Sequence, residues 1–206
     1  MVLFNESRHL LLFEAVSFAV LYIVFPIASI LCIFALLFTV YFFRDPERKV
    51  PGGDVIVAPA DGIILEVSEI DDSFVGRGWL VATFMGPFDV HVNRAPVAGE
   101  IESIAHTPGK KVAAYLAGDL NARERNRIEI KGRGCFVLTQ YAGVFARRIV
   151  SFKKINDKID MGERIGMIKF GSRADVVFPK KYTPSVARGQ KVVAGETILG
   201  VLDAKA

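Results

Sequence analysis

The feature that most constrains this chain is one long apolar run near its N-terminus. From Leu10 to Phe43 the sequence continues for 34 residues with a single charge, Glu14, and a single proline, Pro26. A straight helix of that length would measure about 51 Å, well beyond the roughly 30 Å core of a bilayer. Pro26 lacks a backbone N–H and therefore favours a break or kink. We predict an N-terminal membrane segment over residues 1–43, either a helical hairpin or one tilted transmembrane span.

The charges around this run predict its orientation. Arg44, Arg48 and Lys49 follow the apolar run directly, whereas only Arg8 precedes it. Positive residues concentrate on the cytoplasmic side of membrane segments. We therefore place the chain at the cell membrane, with the rest of the protein on the cytoplasmic side. Residues 44–206 are long enough to form one domain with its own core.

Composition excludes several classes of protein. With 51% hydrophobic and 23% charged residues the chain is not disordered. Two cysteines and three histidines, with no CxxC pair, predict neither a disulfide framework nor a metal site. The glycine patterns of nucleotide-binding loops are missing from the sequence, and no nucleic acid partner is predicted.

Beyond the apolar run, short β-type segments alternate with turn residues. Such regular spacing is typical of a mostly β domain, a sandwich or barrel with few short helices. The predicted strands are residues 55–57, 63–67, 79–84, 90–92, 127–131, 135–140 and 165–170.

The C-terminal segment, residues 189–202, has the pattern of a strand, a turn near Gly195 and a second strand. It is similar to the half-motif of lipoyl and biotinyl carrier domains. A carrier needs a lysine at the tip of a hairpin, but Lys191 precedes the turn. The alternative function that this segment suggests is a non-enzymatic, membrane-tethered carrier-like adaptor.

Three other stretches carry candidate chemistry, although each has an ordinary explanation. Gly-Ser within residues 168–175 (IKFGSRAD) and Asp-Gly within residues 58–62 (APADG) are common turn dipeptides. A lone histidine within residues 88–96 (FDVHVNRAP) is more often structural than catalytic. Taken in order with residues 43–48 (FRDPER), the three stretches resemble the phosphatidylserine decarboxylase family in its short membrane-associated form, which includes archaetidylserine decarboxylases.

The resemblance implies a proenzyme that cuts itself. Its scissile bond would be Gly171-Ser172, leaving a β chain of residues 1–171 and an α chain of residues 172–206. Ser172 would become an N-terminal pyruvoyl group, the cofactor of the enzyme, with no PLP and no metal. The two chains of one proenzyme would then remain partners, and a homo-oligomer stays open.

The mature enzyme, by the same resemblance, acts on a membrane phospholipid. The pyruvoyl group at Ser172 would form a Schiff base with the substrate amine and accept the electrons released as CO2 leaves. His91 is the predicted acid that protonates the product carbon. The expected reaction converts phosphatidylserine or archaetidylserine to the ethanolamine lipid plus CO2.

One position departs from the longer members of the family, which carry a second histidine where this chain has Arg94. That histidine pairs with the aspartate during self-cleavage, so the base that activates Ser172 is left open here. Asp61 and His91 are the candidates that the motifs supply. His91 could serve both steps, His106 could approach from elsewhere, or Asp61 could act through water. Arg94 cannot act as a base, but it could hold the phosphate or carboxylate of the headgroup.

Overall fold

The computed structural model describes residues 2–109, 120–143, 149–168 and 172–203. Gly171, the first residue of the predicted scissile bond, lies outside the described residues. The chain divides into two compact units, Met1–Glu47 and Arg48–Ala206. The predicted catalytic residues that the structure describes all belong to the second unit.

The N-terminal unit consists of two helices, α1 (Val2–Val24) and α2 (Pro26–Phe42). The break predicted at Pro26 is confirmed, and this proline opens α2, where its missing N–H would be unpaired in any case. The Thr39 hydroxyl donates a hydrogen bond of 2.8 Å to Glu14 Oε1 and joins the two helices. The apolar run therefore forms a helical hairpin.

The transmembrane alternative for this segment is not supported. Within the helical residues that the structure describes, none of the helices is both long and apolar enough to cross a membrane. The break divides the apolar run, and α2 with its 17 residues extends only about 26 Å. Glu14 moreover introduces a charge in α1.

In the residues that the structure describes, the regular elements of the second unit are strands, apart from the 3-10 turn Leu120–Ala122. Fourteen strands lie in the described part of the unit: β1 (Val55–Val57), β2 (Gly62–Asp72), β3 (Gly76–Met85), β4 (Val92–Arg94), β5 (Gly99–Thr107), β6 (Arg125–Lys131), β7 (Cys135–Ala142), β8 (Ile149–Ser151), β9 (Lys158–Ile159), β10 (Arg164–Ile168), β11 (Ser172–Pro179), β12 (Tyr182–Pro184), β13 (Lys191–Val192) and β14 (Ile198–Leu202). The prediction of a mostly β domain is confirmed.

These strands form one large sheet and two small ones. The large sheet is curled and has the strand order β13-β2-β3-β11-β7-β6-β5-β9. The small sheets have the orders β1-β14-β12 and β4-β10-β8. The strand β11, which begins at Ser172, is paired antiparallel with β3 on one side and with β7 on the other. The predicted reactive serine is therefore carried by an inner strand of the large sheet.

The predicted strands match observed ones with one shift, whereas five observed strands were not predicted, namely β5, β8, β9, β11 and β12. The strand predicted at 90–92 begins at Val92, because the preceding residues form a turn in which the Gly86 N–H donates to Asp89 Oδ2 at 2.8 Å. The strand β11 was not predicted, because Arg173 and Asp175 interrupt its apolar pattern.

The C-terminal segment has the predicted strand, turn and strand, with Gly195 in the turn at φ +75°. Its two strands nevertheless lie in different sheets, since β13 pairs with β2 whereas β14 pairs with β1 and β12. Lys191 lies within β13, opposite Ile63. The hairpin that a carrier lysine needs is therefore not formed by β13 and β14.

The main core lies on one face of the large sheet, and a smaller buried cluster of Leu80, Val137 and Val177 lies on the other. Phe136 and Leu138 of β7 oppose Ile130 and Ile128 of β6, and all four side chains are buried. Alternate residues of a strand project to the same face, so Gln140 continues the same row into the core. This row of apolar residues leads directly to the strand that carries Ser172.

Candidate active site

Ser172 lies at the first position of β11, with Met85 of β3 and Ala142 of β7 directly opposite. Its side chain is fully buried, and its hydroxyl donates to Met85 Sδ at 3.2 Å. Sulfur is a weak acceptor. The hydroxyl is therefore held in place by a group that does not take its proton.

The two faces of β11 differ in polarity, and we name them by their residues. The neutral face carries Ser172 and Ala174, and the charged face carries Arg173 and Asp175. Residues that oppose each other in an antiparallel pair project to the same face. The neighbours on the neutral face are therefore Met85, Thr83, Ala142 and Gln140.

A chain of buried amides lies beside the neutral face. Asn126 Nδ2 donates to Gln140 Oε1 at 3.0 Å, and Gln140 Nε2 donates to Asn93 Oδ1 at 2.8 Å. Asn93 Nδ2 in turn contacts Met85 Sδ at 3.6 Å. The amides thus lead to the sulfur that also accepts from Ser172.

His91 is fully buried just before β4. The carbonyl of Asp89 lies 2.8 Å from its Nδ1. Because a carbonyl can only accept, Nδ1 carries the proton of the neutral ring, and Nε2 is its basic nitrogen. The His91 carbonyl accepts from the Ile168 N–H at 3.4 Å, close in sequence to Ser172.

Asp61 has partners that the sequence did not predict. Arg48 Nη2 donates to both of its carboxylate oxygens, at 3.0 and 2.9 Å, and the Ala194 N–H donates to Oδ1 at 2.8 Å. The structure therefore brings Asp61 together with Arg48 and Ala194, whereas His91 is joined to Asp89.

Arg94 and His106, the other two residues singled out in the sequence, lie in different surroundings. Arg94 is buried, and its Nη1 donates to the Gly162 carbonyl at 2.9 Å. His106 is half exposed and lies 3.3 Å from Glu124 Oε1. It belongs to β5, three strands away from β11 in the large sheet, which corresponds to about 14 Å. The structure therefore does not bring His106 to Ser172.

The charged face is dominated by a buried ion pair. Arg173 Nε and Nη2 donate to the two Asp175 oxygens at 2.6 and 2.9 Å. Burial raises the pKa of Asp175 to about 6, although Arg173 opposes this effect. Burial likewise raises the pKa of the neighbouring Tyr141 to about 12.

A second ion pair lies on the same face of the sheet. Arg127 donates to both oxygens of Asp72, at 2.8 and 2.9 Å. Burial would raise the pKa of Asp72, but Arg127 and the N–H groups of Phe74 and Val75 outweigh burial and lower it. Asp72 is therefore ionised at neutral pH.

Several residues at the site were not assigned roles by the sequence analysis. Gln140 and Asn126 could have been noticed, because each places a polar side chain in a row of core residues that alternates with period two. Met85 could not have been noticed in this way, because an apolar side chain is ordinary at a core position. Arg48 and Asn93 both lie within recognised motifs, at 43–48 and 88–96, but only the fold shows their partners.

A buried serine at the start of an inner strand and a buried histidine just before β4 form the candidate site. Comparison with known proteins gives the family. The phosphatidylserine decarboxylase family model matches residues 35–200, so the chain belongs to the phosphatidylserine decarboxylase family. It is accordingly an enzyme, a carboxy-lyase, as the four motifs predicted.

Curated relatives agree with the family model. The chain is 48% identical over 177 residues to the phosphatidylserine decarboxylase proenzyme of Zymomonas mobilis subsp. mobilis, covering 80% of this chain and 72% of that protein. It is 42% identical over 180 residues to the proenzyme of the same name from Chlorobium phaeovibrioides, covering 86% of this chain and 82% of that protein.

Proposed function

We propose that this protein decarboxylates the serine headgroup of phosphatidylserine, giving the ethanolamine lipid and CO2, after cutting its own chain before Ser172. The observation that carries the proposal is the fully buried Ser172 at the start of β11, within the motif at 168–175. The names of the relatives support both the substrate and the processing, because each is called a phosphatidylserine decarboxylase proenzyme.

The self-cleavage proposed here uses the Ser172 hydroxyl as nucleophile. Its oxygen bonds to the carbonyl carbon of residue 171, its proton goes to a base, and the bond from that carbon to the Ser172 nitrogen breaks as the nitrogen takes up a proton. The ester is then eliminated: the Ser172 α-proton is removed and the carboxylate of residue 171 leaves. Hydrolysis of the remaining dehydroalanine releases ammonia and leaves a pyruvoyl group.

The surroundings of Ser172 fit a small reactive carbonyl at this position. The side chains nearest to it on the neutral face are uncharged, and the residue is fully buried. Burial keeps water away from a reactive group. When formed, the pyruvoyl group supplies a carbonyl that accepts electrons from the breaking carbon–carbon bond.

His91 is the residue that we propose as the proton carrier in both stages. The Asp89 carbonyl holds Nδ1–H, so that Nε2 is the atom that takes the Ser172 proton and later protonates the product carbon. Asp61 is engaged by Arg48 and Ala194. We therefore propose that Asp61 holds its loop in position, with His91 as the base.

Membrane association is also a proposal, and it rests on the helical hairpin. Phe13, Ile23, Leu31 and Phe34 are all largely exposed, and a run of exposed apolar side chains marks an interaction surface. Since the proposed substrate lies in a bilayer, we infer that the hairpin inserts among the headgroups and outer acyl chains. Arg44 and Lys49 favour the anionic cytoplasmic surface.

The central test is the fate of the purified chain. Wild-type protein is expected to give two fragments on a denaturing gel, and intact mass should show an α chain of 35 residues that reacts with hydroxylamine. Ser172→Ala should give one unreacted chain and no decarboxylation of phosphatidylserine vesicles. Full activity in Ser172→Ala would contradict the mechanism, and an intact wild-type chain would favour the carrier-like alternative.

The membrane proposal has its own test. Leu31→Glu with Phe34→Glu should reduce sedimentation with phosphatidylserine vesicles, while chain splitting continues at the wild-type rate. Unchanged sedimentation would contradict the proposed role of the hairpin. Vesicles of ether-linked archaetidylserine, assayed in parallel, show whether the enzyme distinguishes the lipid tails.

A further inference from the structure

The side-chain amide of Asn93 is a buried donor with weak acceptors. Its Nδ2 lies 3.5 Å from the Pro59 carbonyl and 3.6 Å from Met85 Sδ, and the residue is fully buried. An ordinary N–H···O bond measures about 2.9 Å, and sulfur accepts weakly. Burial of a donor that is poorly satisfied is costly. Such a group is suited to an acceptor that is present only during a reaction.

The orientation of this amide follows from its neighbours. Gln140 Nε2 donates to Asn93 Oδ1, and Asn126 donates to Gln140 in the same direction. Reversing all three amides would place Asn93 Oδ1 against the Pro59 carbonyl and the Met85 sulfur, which are both acceptors. The N–H groups of Asn93 therefore face Met85.

The same sulfur is the contact of the reactive hydroxyl. Ser172 Oγ lies 3.2 Å from Met85 Sδ, and Asn93 Nδ2 approaches that atom as well. The amide donor and the hydroxyl thus converge on one point of the neutral face. Because both groups contact one sulfur atom, negative charge that develops on the carbonyl bonded to the Ser172 nitrogen would form in the same buried region as this donor.

We infer that Asn93 Nδ2 stabilises the oxyanion formed during self-cleavage, and that Gln140 and Asn126 are positioning residues that orient it. When Ser172 Oγ bonds to the preceding carbonyl carbon, the π electron pair of that carbonyl moves to its oxygen. The pair returns when the bond to the Ser172 nitrogen breaks and that nitrogen takes a proton. An oriented, buried donor favours this charged state over the neutral amide. This inference rests on the proposed self-cleavage.

The first test measures splitting of newly synthesised chain over time on a denaturing gel. Removing one oxyanion donor typically slows a reaction about 100-fold to 1,000-fold, and we expect this for Asn93→Leu. Gln140→Met should slow splitting less, because the donor remains but loses its orientation. The matched control is Thr139→Val, which alters a buried residue beside Gln140 on the opposite face of β7. It should split at the wild-type rate.

A pH profile separates this role from a structural one. In Asn93→Asp the carboxyl replaces the donor by an oxygen, which can donate only when protonated. The splitting rate relative to wild type should therefore rise as pH falls from 8 to 5, whereas that of Asn93→Leu should stay flat. The ionisable groups on the segments around Asn93 are His91, Asp61, Arg94 and Arg164, and taking the ratio to wild type removes the pH effects that both chains share.

The outcomes are distinguishable. Splitting of folded Asn93→Leu within twofold of wild type, or a flat ratio for Asn93→Asp, would overturn the role of Asn93 and leave the proposed function intact. Failure of the wild-type chain to split would overturn both. Thermal unfolding of each variant identifies those that do not fold. If Asn93→Leu does not fold, the splitting rates of Gln140→Met and Asn93→Asp decide whether Asn93 has the proposed role.

Discussion

The two faces of the strand β11 present opposite environments. On the neutral face, Ser172 lies among uncharged side chains and its hydroxyl contacts a sulfur. On the charged face, Arg173 and Asp175 form a buried ion pair that begins one residue later in the chain. Because side chains alternate along a strand, two opposite environments are created within four residues.

This difference separates chemistry from stability. An ionised side chain on the neutral face would be costly without a partner, and it would add a fixed charge beside the reacting serine. The charged face carries two ion pairs, one within β11 and one that joins β6 to the end of β2. We therefore expect substitutions on the neutral side to affect reaction rates, and those on the charged side to affect the free energy of unfolding.

The largest effect on a reaction rate is expected for substitution of His91. His91→Ala should lower the rate of decarboxylation at least 100-fold, as expected for loss of a general acid, whereas His106→Ala should stay within about twofold. Chain splitting on a denaturing gel and CO2 release from phosphatidylserine vesicles are both measured, because loss of His91 should slow self-cleavage as well as decarboxylation. Equal losses in the two variants would contradict the assignment of His91.

Breaking the ion pair on the charged face tests the other half of the comparison. Arg173→Met leaves Asp175 buried without its cation, which typically costs about 3–5 kcal/mol of stability. Replacing both residues, as Arg173→Met with Asp175→Leu, should recover most of that loss. Denaturant unfolding measures both variants, and a double variant as unstable as the single one would show that the pair itself is not the cause.

The pH dependence of stability should reveal Asp175 directly. Its pKa is raised from the ordinary value of 3.8 to about 6 in the folded chain, so the folded state binds this proton more tightly. The stabilisation is full below pH 3.8 and is lost as pH rises through 6. Relative to Asp175→Asn, the wild type should lose about 3 kcal/mol between pH 3.8 and 7. A constant difference would contradict the raised pKa.

The smallest effect belongs to the more exposed pair on the same face. Arg127→Gln should lower the free energy of unfolding by about 1 kcal/mol, since the pair with Asp72 is partly open to solvent. The lowered pKa of Asp72 means that this contribution is present at neutral pH and lost in acid. Denaturant unfolding of Arg127→Gln at low and high salt measures this contribution. If the variant lost more free energy of unfolding than Arg173→Met, the ranking of the two ion pairs would be reversed.

Local sequence patterns were sufficient for much of the fold and for the family. The break at Pro26 and the runs that became β1, β2, β3, β6, β7 and β10 follow from backbone restriction and from alternation, which act over a few residues. The motif around Ser172 was equally visible. Strand β11 was missed, because Arg173 and Asp175 interrupt its apolar pattern, and only the fold shows that the two charges pair with each other in a buried place.

By itself, then, the sequence determined many of the extended segments, where the helices break and which serine belongs to the family motif. Only the tertiary structure decided that β11 lies between β3 and β7, that Asp61 pairs with Arg48, and that the Asn93 amide meets Ser172 at Met85. Those contacts join residues far apart in the chain. Their energies depend on shared burial and on hydrogen-bond direction, which exist only once the sheet has formed.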